Sequence, residues 1–195
     1  SQLSKVGISP KSYNNKYGVP LSLFNLDQKN NYGVLEIGMD KKGEIDYLSK
    51  IVKPDVSVIT NINYAHAKNF QNLKQIALAK SEIINNTKVN GFIILNSDDN
   101  FFSLHKKIAY KRKLQILSFG INNQNANIKL ISIKKISNKF KATIRINNLK
   151  TYFFISNNFQ SNILNILAAL TVMSIFFDIS KLKKNIFIDF RIPNG

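Results

Sequence analysis

Several side chains in this 195-residue sequence have the types and spacing to do chemistry. Glu36 is the lone acid within Y-G-V-L-E-I-G-M, the apolar part of residues 32–43. A carboxylate inside an apolar strand is costly unless it is paired, hydrogen-bonded or bound to a metal. Glu36 is therefore expected to hold a partner; the competing reading is an edge strand whose Glu faces water. Lys80 falls on an apolar stripe of Leu73, Ile76, Ala77, Ile83 and Ile84, whose spacing predicts one continuous helix. A lysine on that stripe is partly desolvated, which lowers its pKa and raises the fraction of neutral, reactive amine. Alternatively, its stem lies on apolar surface while the ammonium reaches water. Glu82, two residues on, should point elsewhere, because residues two apart on a helix do not share a face.

Three further groups are polar. Asn14 and Asn15 precede Gly18 and Pro20, so they offer adjacent amides beside a turn, or simply form that turn. Asn61 and His66 fall just past an apolar run at 56–60. Asn162 and Asn165, three apart in N-F-Q-S-N-I-L-N-I-L-A-A-L, share a face of a helix's first turn. Polar groups there suit a nucleotide or an anion; their plainer role is capping.

The elements that must position these residues follow from periodicity. Residues 1–18 read as polar loop. A strand ending near Glu36 feeds a helix at 44–52, with apolar Ile45, Leu48, Ile51 and Val52 at helical spacing. Buried strands are expected at 56–60, 92–95 and 114–119 with helices between them, giving a parallel β-α-β-α-β sheet whose ligands gather at the strands' carboxyl ends. From 127 to 155 the pattern changes to alternating, β-branched runs with turns at Ser137-Asn138 and Asn147-Asn148, a small antiparallel meander. The fold class is thus α/β: a mostly parallel sheet flanked by helices, with an antiparallel subdomain at 127–155.

Composition is globular, 44% hydrophobic and 20% charged. The absence of cysteine excludes disulfides and Cys-based zinc sites and fits a cytoplasmic protein. The longest apolar run, 163–177, contains Asn165, Thr171 and Ser174 and is shorter than the roughly 20 residues that span a bilayer. A formal charge of +17 would suit a nucleic-acid partner. Yet the bases are scattered among Asn, Ile, Phe and Tyr, the residues that an A/T-rich coding sequence enriches, so no nucleic-acid partner is expected.

Taken in order, N-N-K-Y-G-V-P-L, V-L-E-I-G-M-D-K-K-G-E-I, V-I-T-N-I-N-Y-A-H, A-K-S-E-I, L-N-S-D-D and N-I-L-N-I-L-A-A-L resemble the central, ATP-binding domain of the Mur ligase family over nearly the whole chain. The resemblance implies a P-loop-like fold and an ATP-dependent amide-bond ligase of peptidoglycan precursor synthesis, working through an acyl phosphate with magnesium. Its implied substrates are UDP-N-acetylmuramoyl-tripeptide and D-alanyl-D-alanine, and it implies a monomer. By the same resemblance Glu36, His66 and a carbamylated Lys80 hold metal, with His66 and Lys80 catalytic. Asn14 and Asn15 face the UDP-sugar substrate, and Asn162 and Asn165 lie near the nucleotide. Another ligase of the family, an inactive ligase-like fragment and a basic nucleic-acid-binding module are the alternatives.

Two departures qualify the resemblance. The sequence has no G-x-x-G-K-T-T phosphate-binding segment upstream of Asn14, nor the family's carboxy-terminal domain, so residues 1–195 are expected to be an incomplete central domain that is inactive by itself. The position where the family usually has a histidine before the first asparagine of N-x-x-N is Ser161.

Overall fold

The strand Phe92–Asn96 (β4) is buried on both faces, and the main sheet extends outward from it. This computed structural model describes residues 5–10, 12–64 and 69–188. Six strands run in the order Val56–Ile59 (β3), β4, Gln115–Gly120 (β5), Ile128–Ile136 (β6), Lys139–Ile146 (β7) and Leu149–Ile155 (β8). The first three pairings are parallel and the last two antiparallel.

Pleat alternation divides the core. Ile93 and Leu95 turn to one face, where they pack with Ile84, Ala109 and Leu114. Those partners come from the helices Glu82–Asn86 (α4) and Phe102–Lys111 (α5) and the loop before β5. Ile94 turns the other way, with Phe119, against Ile163, Ile166, Leu167 and Leu170 of the helix Gln160–Phe176 (α6). A strand covered on both faces cannot alternate polar with apolar, and F-I-I-L reads as a continuous apolar run for that reason.

The meander's turns are as expected: two-residue turns join β6 to β7 and β7 to β8, with Ser137 at φ 54° and Asn147 at φ 50°. The three strands do not stand apart from the parallel strands. Phe119 and Gly120 of β5 pair with Ile128 and Lys129, so the meander continues the same sheet and α6 covers its inner face.

The structure corrects the amino-terminal reading. Val6–Ile8 (β1) is a strand, parallel to Tyr32–Val34 (β2), in a separate two-stranded sheet. Gly18–Phe24 (α1) is a helix rather than a turn; Pro20 falls in its first turn, where its missing N–H costs nothing. The stretch expected as one helix from Leu73 to Ile84 is two, Leu73–Lys80 (α3) and α4. The break is at Ser81, whose hydroxyl bonds back to the Leu78 carbonyl at 2.7 Å. A hydroxyl competing for the backbone in this way loosens the helical ladder. Glu44–Val52 (α2) forms as predicted.

Candidate active site

Glu36 lies two residues beyond β2 and is exposed, not inside an apolar strand. The reason is that β2 has only three residues, with Gly33 and Val34 exposed. The stretch continues past the strand with alternating faces. Ile37 and Met39 pack with Ile45 of α2 and with Ile76 and Ala79 of α3, while Glu36 and Gly38 meet Asn14. The Asn14 amide Nδ2 donates to Glu36 Oε1 at 2.9 Å, and the Gly38 N–H donates to the Asn14 carbonyl at 2.7 Å. A Cβ at Gly38 would come 3.0 Å from the Asn14 side chain, so the bare glycine is what allows this approach. Glu36 is therefore a partnered carboxylate just past a strand end, the place expected of it in an environment that was not.

Asn15 does something different from its neighbour. Its Oδ1 accepts the N–H groups of Tyr17 and Gly18, both at 3.0 Å, which starts α1.

Lys80 is the last residue of α3, half-buried, and its Nζ donates to the Asn61 carbonyl at 2.9 Å, just past the end of β3. Its neighbours one turn earlier, Ile76 and Ala77, are fully buried. Burial pushes the Lys80 pKa down, and the nearby Asp99 carboxylate offsets part of that. Glu82, on the separate helix α4, turns to the start of α2. Its carboxylate accepts the N–H groups of Gly43 at 2.9 Å and Asp46 at 3.0 Å, capping α2 from another helix.

Two groups that the sequence reading did not assign also reach this place. Asp99, in L-N-S-D-D after β4, accepts the Ile62 N–H at 2.9 Å through Oδ2 and the Phe101 N–H at 2.8 Å through Oδ1. His105, only 2% exposed, meets the Ala77 carbonyl through Nε2 at 3.0 Å. Burial lowers its pKa, so the ring is neutral and Nε2–H donates. Nothing local in S-L-H-K-K marks this histidine as buried; only the packing of α5 against α3 does. His66 lies outside the described residues.

At the other candidate position Asn162 and Asn165 part company. Asn162 is 4% exposed and Asn165 is exposed, because one turns under the helix's first turn and the other turns to solvent. Asn162 Nδ2 donates to Asn157 Oδ1 at 2.6 Å, while its own Oδ1 is buried with no hydrogen-bond partner among the described residues. An unpaired buried acceptor is costly, and it is available to a donor arriving from outside the chain.

Glu36 supplies carboxylate oxygen, but Lys80 as an ammonium would repel a metal ion. Among the described residues no cluster of three His, Cys, Asp or Glu could hold a metal. Lys80 must therefore acquire anionic oxygen if it is to take part.

Comparison with known proteins gives the family of the fold that carries these residues. Residues 2–173 match the Mur ligase middle domain. The UDP-N-acetylmuramoyl-tripeptide–D-alanyl-D-alanine ligase of Buchnera aphidicola is 40% identical over 140 residues, covering 72% of this chain and 28% of that protein. Its Bacillus subtilis counterpart is 31% identical over 166 residues, covering 85% and 34%. Among solved structures, MurF from Acinetobacter baumannii superposes with a TM-score of 0.81 at 29% identity, over 89% of this chain and 37% of that one. MurF ligase from Thermotoga maritima in complex with ADP gives 0.79 at 28% identity, over 93% and 43%. The chain thus spans about a third of the length of the relatives it matches. With most of its residues matched to one family and its sheet and helices superposing on solved members, the chain belongs to the Mur ligase family, as its middle domain.

Proposed function

We propose that this chain is the central, nucleotide-binding part of an ATP-dependent amide ligase that joins D-alanyl-D-alanine to UDP-N-acetylmuramoyl-tripeptide. The observation that carries the reading is Lys80: an amine half-buried at the carboxyl end of the sheet, lowered in pKa and fixed by one carbonyl. The relatives' names supply the substrates, and the ADP complex of one of them supports nucleotide use. ATP's γ-phosphate activates the peptide's terminal carboxylate as an acyl phosphate. The dipeptide amine then displaces phosphate through a tetrahedral intermediate.

Glu36, His66 and Lys80 would hold magnesium, with Lys80 as a carbamate; the ion would supply neutralisation of charge on the transferring phosphoryl group. The chain's own residues do the positioning. Asn14 holds the Glu36 carboxylate by Oε1 and, with Asn15, faces the UDP-sugar. The buried Asn162 Oδ1 offers an acceptor to the nucleotide, and Asn165, turned to solvent on the same helix, is assigned to the nucleotide by the family resemblance alone.

No described helix is long and apolar enough to cross a membrane.

The test is turnover by the intact protein. Lys80→Ala should abolish ATP-dependent pentapeptide formation, and bicarbonate or a short carboxylic acid should restore part of it by filling the vacated anionic position. Near wild-type turnover in Lys80→Ala would sink the assignment.

A further inference from the structure

One peptide unit, Asn61–Ile62, carries hydrogen bonds of opposite sense on its two ends. Its carbonyl accepts from Lys80 Nζ at 2.9 Å, and its N–H donates to Asp99 Oδ2 at 2.9 Å. The unit lies past the end of β3, outside the sheet's ladder, so no strand partner fixes its rotation. Asp99, in contrast, is fixed. Its other oxygen accepts the Phe101 N–H at 2.8 Å, and the Phe102 N–H donates to its carbonyl at 3.0 Å, where α5 begins. From these contacts we infer that Asp99 is a positioning residue for Lys80: it sets the plane of the Asn61–Ile62 peptide, and the peptide's carbonyl sets the direction of the reactive nitrogen.

The chemistry explains why direction matters. The inference rests on the reading of Lys80 as a carbamate-forming amine. The neutral amine's lone pair attacks the carbon of carbon dioxide; a C–N bond forms, one C=O π bond gives its electron pair to oxygen, and nitrogen loses one proton to solvent. The amine has several N–H groups to choose from, whereas the carbamate keeps one. If the Asn61 carbonyl retains that single N–H, the new carboxylate must leave nitrogen on the side away from the carbonyl. Asp99 thereby selects where the negative charge is put without touching substrate or ion.

Asp99→Asn separates this role from a merely structural one. An amide can give oxygen to only one of the two N–H groups that Asp99 accepts and turns its own NH2 against the other. In the intact protein, Lys80 is labelled with trace acetic anhydride and read by peptide mass spectrometry, with the exposed Lys50 and Lys181 as internal controls. Release of Lys80 should raise its labelling roughly tenfold, the scale of one charge-assisted hydrogen bond, while the two controls stay constant. The half-saturating bicarbonate for turnover should rise with it, and the KM for both peptide substrates should not move. Asp55→Asn, which removes a surface charge paired with Lys88, should leave Lys80 labelling and bicarbonate dependence unchanged.

Unchanged labelling at Lys80 in a folded Asp99→Asn protein would overturn the inference. Should that variant not fold, amide exchange in the wild-type protein decides. The Ile62 N–H should be strongly protected, and exchange as fast as that of exposed Asn63 would overturn it equally. Failure of the carbamate reading looks different: no 13C carbamate signal from wild type in labelled bicarbonate, and turnover surviving Lys80→Ala, with the labelling result standing on its own.

Discussion

At the scale of single residues, each candidate group is held by contacts that can be named. Lys80 is shifted by burial and aimed by a carbonyl, and Glu36 is held by one amide. Asn162 differs, because its Oδ1 is buried and has no partner among the described residues, in a helix that otherwise packs well. Asn162→Leu removes that acceptor and leaves Asn157, which is only partly buried, to find water. Thermal unfolding should therefore move by no more than about 1 kcal/mol of stability, since losing an unsatisfied group offsets losing a satisfied one. Nucleotide affinity of the intact protein, measured by calorimetry, should fall by roughly tenfold or more if Oδ1 accepts from the ligand. A large loss of stability with unchanged affinity would show that the asparagine is there for the fold.

At the scale of elements, α2 and α4 are tied through Glu82. Its carboxylate takes two N–H groups at the start of α2, a cap supplied from another helix, while Gly43 adopts φ 90° at the cap position itself. Glu82→Ala leaves those donors without a partner and should cost about 1–2 kcal/mol by denaturant titration. Because α2 buries Ile45 and Leu48 beside Met39, the change should also loosen the segment that carries Glu36. Glu44, at the first turn of the same helix, has its pKa lowered chiefly by the Asp40 N–H. The folded state therefore binds fewer protons there than the unfolded chain. Its contribution is present at neutral pH and is lost as pH falls through the lowered value. Glu44→Gln should flatten the acid limb of the stability profile without altering the alkaline one; an unchanged acid limb would count against this account.

At the scale of the whole molecule, the charge of +17 is absorbed in ways that composition does not reveal. Several lysines lie over aromatic rings on the outer face of β7 and β8, and Lys129 is buried with its ammonium near the Asn122 carbonyl. The sequence contains no Gly-x-x-Gly-Lys-Thr segment, and the chain spans about a third of its relatives. The 195 residues alone should accordingly bind ATP poorly and turn over nothing, because a triphosphate lacks its cradle of backbone N–H groups. Ligase activity from this chain alone, followed by phosphate release, would contradict that expectation.

What the sequence determined by itself was the order of the strands from residue 56 to residue 155 and the family to which the chain belongs. Continuous apolar runs marked strands covered on both faces. The stripe around Lys80 marked a desolvated amine, and six short motifs in order marked the family. These signals are local, since each depends on spacing within a dozen or so residues. Tertiary structure decided the rest. Short β2 left Glu36 exposed, a serine hydroxyl divided one helix into two, and the meander joined the main sheet through Phe119 and Ile128. Asp99 and His105 reach Lys80's surroundings across 19 and 25 residues of sequence, respectively, by the docking of α5 and the β4 end against α3 and the β3 end. Periodicity reports which face of an element is buried; it carries no information about which distant element supplies the covering side chain, and the polar contacts that aim this site are all of that second kind.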